Sequence, residues 1–181
     1  MEARREPDEG CPALRYNPWK SDSMVLHGII VSHNQSIRRR TQMTEITIDF
    51  DKRFEGGIPD AATYPGIYVV YAYNGNANAP RWDLLDIGQA NNMFERHSTH
   101  ERKESWVAYA KTHNMKLVFY TAEINNEHNY RDIIESALLY KYQPLCATDG
   151  KSGYHHEDAR ITVVGRLKNA FGEFVIRNTD K

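Results

Sequence analysis

Hydrophobic and polar positions divide the chain into a weakly patterned beginning and a sharply patterned remainder. From Glu45 to Phe50 (EITIDF) the two kinds alternate, as an amphipathic strand requires. Gly56-Gly57-Ile58-Pro59 reads as a loop. Ile67 to Tyr73 (IYVVYAY) is a β-branched and aromatic run that suits a strand buried on both faces. Asn74-Gly75 opens a turn that continues through Pro80, and Trp82 to Ile87 (WDLLDI) is the returning strand. Asn92, with Glu95 three residues on, predicts a helix start, and the helix is expected to run to about His100. Ser105 is the expected cap of a second helix carrying Trp106, Val107 and Ala110. Met115 to Ala122 (MKLVFYTA) predicts a third central strand. The clearest helix spans 127–142, because Tyr130, Ile133, Ile134, Ala137 and Leu138 fall at i, i+3, i+4, i+7 and i+8, and Pro144 ends it. The tail predicts a hairpin, with strands at 161–164 and 174–176 and a turn near Gly172.

The order β-β-α-α-β-α with hairpin links contains no βαβ repeat. It predicts an α+β domain: a small antiparallel sheet of about three central strands flanked by helices, with an extra C-terminal hairpin. Residues 43–181 form this single domain. Residues 1–42, with Pro7, Pro12 and Pro18, read as a flexible or loosely docked extension. Within them Val25–Val31 (VLHGIIV) is a candidate short strand, and Arg38-Arg39-Arg40 is a candidate phosphate contact whose plainer reading is a solvated charge run. Met43 is a candidate natural start.

Composition narrows the function classes. Of 181 residues, 40% are hydrophobic, with 11 Tyr and 6 Phe, enough for a real core. No apolar run approaches the ~20 residues that span a bilayer, so a membrane protein is not expected. The N-terminus lacks the apolar region of a secretory signal. Cys11 and Cys146 are the only cysteines; this usage fits a reducing cytoplasm and excludes an all-cysteine zinc site. The net charge of −1 means that contact with nucleic acid must come from a local patch rather than a general basic surplus.

One constellation carries chemistry. Gly66-Ile67-Tyr68 heads a hydrophobic strand, and Asp86-Ile87-Gly88 closes the next. Arg96 lies ten residues past Asp86, His100 four beyond it, and Glu135 on the clearest helix is followed nine residues on by Pro144. In this order the residues resemble the GIY-YIG nuclease superfamily over roughly residues 64–147. The resemblance implies a three-stranded antiparallel sheet flanked by helices, with the site on one sheet face, and cleavage of DNA with one divalent metal ion, Mg²⁺ or Mn²⁺. Two positions depart from the pattern. The tyrosine of the second triplet is Asp86, and Ala147 stands where an asparagine is usual. The longer spacing between the triplets falls in the 74–80 loop, where insertion costs little.

The resemblance implies that Tyr68 is the general base, Arg96 the donor fork to a phosphate, and Glu135 the metal ligand; Mg²⁺ keeps several waters, so one carboxylate suffices. A phenol titrates near pH ~10, so lowering it by about three units takes roughly 4 kcal/mol, to come from Arg96 and the metal. His100 is one helical turn past Arg96 and Lys103 two turns past, so all three face one groove if the helix runs on. Gly88 allows a tight strand-to-helix turn. Each residue has a plainer reading: Tyr68 as sheet packing, Glu135 as a helix pair with Arg131, Arg96 and His100 as solvated side chains. For Asp86 three readings stand open: a metal ligand or base, a partner that quenches Arg96, or a favourable charge at the following helix N-terminus. His155-His156 is a candidate groove lining. The function expected is metal-dependent hydrolysis of DNA phosphodiesters. Its rival is a catalytically degenerate module of the same fold that binds nucleic acid or a protein partner without cleavage.

Overall fold

The computed structural model describes residues 43–125, 128–148 and 153–179. The extension 1–42, its Val25–Val31 segment and its arginine run lie outside the described residues. Among those residues the chain is α+β, with two small, mostly antiparallel sheets and four helices. Among the described residues no helix is long and apolar enough to cross a membrane.

Strand β1 (Thr44–Phe50) buries Ile46, Ile48 and Phe50 and exposes Glu45, Thr47 and Asp49, the alternation read from the sequence. After Asp51 the chain continues as β2 (Lys52–Glu55), a short edge strand whose charged alternation gave no strand signal. The larger sheet has the order β2-β5-β3-β4, with β3 (Gly66–Tyr73), β4 (Trp82–Ala90) and β5 (Lys116–Glu123) all antiparallel to their neighbours. Between them come helices α1 (Met93–Thr99) and α2 (Lys103–Thr112). Asn92 caps α1 as expected, its side chain accepting the Glu95 amide at 3.1 Å. Helix α2 starts two residues before Ser105, with Arg102 as its N-cap. Helix α3 (His128–Tyr142) follows β5.

The tail departs from a simple hairpin. Strand β6 (Ala159–Gly165) and β7 (Glu173–Ile176) are antiparallel, but helix α4 (Lys168–Phe171) lies between them, and β6 also pairs in parallel with β1. The second sheet, β1-β6-β7, is therefore mixed rather than a hairpin appended to an antiparallel sheet.

Side chains of the central strands part to two faces with the period of two that a strand imposes. Ile67, Val69 and Tyr71 join Ile133, Ile134, Ala137 and Leu138 of α3 in a core shared with β1, β6 and β7. Tyr68, Val70 and Ala72 face the other way, onto Met93, Trp106, Tyr109 and Ala110 of α1 and α2. Pairing of β3 with β4 slips between Val70 and Tyr71, whose partners are Asp86 and Leu84. Leu85 is the extra residue of this bulge. Without it, Asp83 and Asp86, three residues apart, would point to opposite faces; with it, both meet α2.

Candidate active site

Tyr68, Asp86, Arg96 and His100 come together on the α1–α2 face of the sheet. Tyr68 is buried, and its ring lies across β4 at Gly88, where an added Cβ would stand 2.1 Å from the phenol oxygen. Gly88 is inside the strand, which runs on to Ala90, so the expected tight turn is not its role. It clears space for the phenol. Gly66 is constrained in the same manner, since a Cβ there would meet the Ala122 carbonyl oxygen at 1.9 Å.

Three consecutive residues in the link between α1 and α2 each seize one member of the site. His100 Nε2 is 2.6 Å from the Tyr68 hydroxyl. Glu101 accepts both arms of the Arg96 guanidinium, Nη1 at 2.9 Å and Nη2 at 3.1 Å. Arg102 Nε donates to Asp86 Oδ2 at 2.8 Å. The Arg102 backbone N–H also donates to His100 Nδ1 at 3.0 Å. A nitrogen that accepts carries no proton, so the neutral ring holds its hydrogen on Nε2 and donates it to Tyr68. Burial, followed by the charge of Arg96, pushes the His100 pKa down to about 4, which keeps the ring neutral at physiological pH.

Asp86 is fully buried and takes up none of its three expected roles. Its Oδ1 accepts the Ile87 N–H at 2.9 Å; its Oδ2 accepts Arg102 and, at 3.1 Å, the Trp106 indole N–H. The arrangement has a counterpart one bulge earlier. Asp83 is held by Arg81 at 2.7 Å and by the Tyr109 hydroxyl at 3.2 Å. Trp106 and Tyr109 lie one turn apart on α2, so two carboxylates of β4 dock that helix through aromatic donors. Asp86 pairs with Arg102 rather than Arg96, and both its oxygens are engaged.

The electrostatics of Tyr68 run against the expected lowering. Burial first, then the Asp86 charge, push its pKa well above the usual phenol value, and the opposing influence of Arg96 does not outweigh them. The phenol is therefore protonated at neutral pH. With His100 donating to its oxygen, its own hydrogen is left to donate elsewhere.

Glu135 stands apart from this cluster. From α3 its Oε2 accepts the Gln89 side-chain amide at 2.9 Å, and the same amide donates to Asp132. Burial raises the Glu135 pKa, Gln89 opposes, and the charges of Asp132 and Asp86 add to the rise. Its charge reaches Tyr68 as well. Yet a small, mainly apolar cavity beside Tyr68 is lined by Arg96, His97, His100, Met93 and Trp106 and not by Glu135. Among the described residues no three His, Cys, Asp or Glu side chains form a metal-binding group. The oxygen donors that suit a divalent ion are Glu135 and Asp132; Asp86 does not fit, because its oxygens are filled by protein donors.

Lys103 does not continue the Arg96–His100 face, because α1 ends at Thr99 and Lys103 opens α2. Its charge still lowers the pKa of half-buried His97, after burial. His156 meets Ser136 at 3.0 Å and helps line a concavity with Asn129, Asp132, Ile133 and Glu157, on the α3 side; His155 is exposed. Ala147 is buried in the α3-side core. The preceding residues Leu145 and Cys146 donate their backbone N–H groups to the Leu84 and Leu85 carbonyls at the bulge.

Sequence reading missed Glu101, Arg102, Asp132 and Gln89. The first two lie in the link between the two expected helices, where no glycine or proline marks a turn and no spacing rule assigns a partner. Asp132 carried a signal, being one turn before Glu135. No family model matches the chain, and no match is found among curated proteins or solved structures.

Proposed function

We propose that the protein is a phosphodiester hydrolase of the GIY-YIG kind acting on DNA with Mg²⁺ or Mn²⁺. The observation that carries this reading is the meeting of Tyr68, His100 and Arg96 over Gly88, in the order the resemblance requires. Arg96 presents a planar fork that matches two phosphoryl oxygens. Tyr68, protonated and accepting from His100, donates a hydrogen bond toward a phosphoryl oxygen or orders the attacking water. His100 is a positioning residue, since it fixes the phenol oxygen. Glu135 and Asp132 are the carboxylates that would hold the divalent ion, which when bound neutralises phosphoryl charge and acidifies a water. Donors aimed at developing charge typically contribute 10²–10³ in rate each.

The test is nicking of supercoiled plasmid by the full chain with Mg²⁺ or Mn²⁺. Arg96→Ala, Tyr68→Phe and Glu135→Ala are each expected to slow it by about 10² or more. Cleavage unchanged in all three variants would overturn the assignment.

A second reading is a module that binds nucleic acid without cutting. Two observations favour it: the Arg96 fork is already filled by Glu101, and the phenol is held in its protonated form. DNA retained equally by wild type and variants, with no nicking under any of these conditions, supports that reading.

A further inference from the structure

Arg96 is the phosphate-binding group of the reading above, and its fork is engaged from within the same chain. We infer that Glu101 is a resident anion of the Arg96 site, occupying the fork until a phosphate or phosphodiester oxygen pair displaces it. Both guanidinium arms meet the two Glu101 oxygens, the bidentate geometry in which carboxylate and phosphate are interchangeable. The two partners differ in how firmly they are held. Arg96 is about one-third exposed and close to Tyr68, whereas Glu101 is 58% exposed and belongs to the three-residue connection between helices. Besides Arg96, the Glu101 carboxylate is held among the described residues by a hydrogen bond from its own backbone N–H and by an approach to His100 Nδ1 at 3.7 Å, a nitrogen already occupied by the Arg102 N–H.

The exchange needs little motion. His100 and Arg102, on either side of Glu101, are anchored to Tyr68 and Asp86, so the backbone stays in place while the Glu101 side chain swings outward to solvent. An exposed ion pair of this kind is weak, about 0–1 kcal/mol, so a ligand phosphate with two charge-assisted bonds competes with it readily. The same contact screens Arg96 from small anions, and it makes the site selective for ligands that bring additional contacts along a nucleic-acid backbone. The inference depends on Arg96 as an anion receptor and not on cleavage.

The experiment follows the Arg96 side-chain Nε–H resonance of the full chain while inorganic phosphate is added, for wild type, Glu101→Gln, Glu104→Gln, and Glu101→Gln combined with Arg96→Ala. Glu104 is an exposed carboxylate on the first turn of α2 and controls for removal of one charge. With the Glu101 competitor gone, phosphate is expected to bind Arg96 about two- to five-fold more tightly, the factor that up to ~1 kcal/mol represents. Glu104→Gln should leave affinity nearly unchanged. In the double variant, where backbone amides of the α1–α2 link report binding, the gain should vanish. An equal gain from Glu104→Gln, a gain that survives loss of Arg96, or no phosphate response in Glu101→Gln each overturns the inference. Plasmid nicking assayed on the same proteins separates the two levels. Arg96-dependent nicking without the phosphate gain removes the resident anion and keeps the nuclease. The phosphate gain without nicking keeps the anion exchange and removes the nuclease.

Discussion

The two faces of the four-stranded sheet are made by alternate residues of the same strands, yet they are built by different rules. Toward α3, Ile67, Val69, Ile87 and Val118 meet Ile133, Ile134 and Leu138 in an apolar layer that needs shape and little else. Toward α1 and α2, buried side chains include Tyr68, Asp83, Asp86 and His100, and every one of them has a named polar partner. Burying such groups is tolerable only when they are satisfied. The comparison teaches where function is to be sought: the α1–α2 face concentrates the buried polar groups, while on the α3 side Arg131, Gln89, Asp132 and Glu135 gather only at the end of β4.

The sharpest break of that comparison is Arg102→Ala against Ile134→Ala. Loss of Arg102 leaves Asp86 buried without its cation, and stability in urea unfolding should fall by about 3–5 kcal/mol. It should also raise the Asp86 pKa further, since burial already pushes it up and Arg102 is the largest opposing influence. Ile134→Ala should cost a comparable ~2–5 kcal/mol through cavity formation. It should leave the His100 ring, read by nitrogen chemical shifts, in its Nε2–H form. Equal disturbance of His100 by both variants would show that the two faces are not separable.

Gly88→Ala is next in size. The new methyl group collides with the Tyr68 hydroxyl, so the ring must move, at a cost of about 1–3 kcal/mol, and the His100 contact is lost with it. An upfield or downfield change of the Tyr68 ring signals, with the α3-side methyl signals unmoved, checks this outcome.

The smallest effect is the pH dependence. Burial holds His100 down at about 4 in the folded chain, against a usual value of 6.5. Between those limits the unfolded chain takes up the proton first, so stability falls as pH drops from about 6.5 toward 4 and this contribution is fully present above that window. His100→Asn should flatten the slope in urea midpoints measured across the window. Glu101 is held low, at about 2, chiefly by a backbone hydrogen bond and also by Arg96, and acts in the same direction at still lower pH.

Much of the fold was legible because its signals are local. Alternation marked β1, β-branched and aromatic runs marked β3 and β5, and the i, i+3, i+4 pattern marked α3. Strand β2 escaped notice because four residues reading KRFE bury little. The parallel pairing of β1 with β6 was invisible, since Glu45 and Arg160 meet across 115 positions and no turn chemistry announces the contact. At the site, Tyr68, Arg96 and His100 were readable as a set, and the structure brings them together. Asp86 was not: its partners are 16 and 20 residues away, and one of them, Trp106, reads in sequence simply as core. The bulge at Leu85, which turns Asp86 toward α2, has no sequence mark of its own.

That long-range pairing has a further consequence. In the second sheet Ala159 stands between Thr44 on one side and Ile176 on the other, so the first and last strand ends sit two strand spacings apart, roughly 10 Å. A bridge of about four residues spans that gap. The exposed Gly75–Pro80 segment lies outside every strand and helix and offers a place to open the chain instead. A circularly permuted protein beginning there, with residues 1–43 and 177–181 removed, would keep the described strand pairings, its new ends at the β3–β4 turn rather than beside β1 and β7.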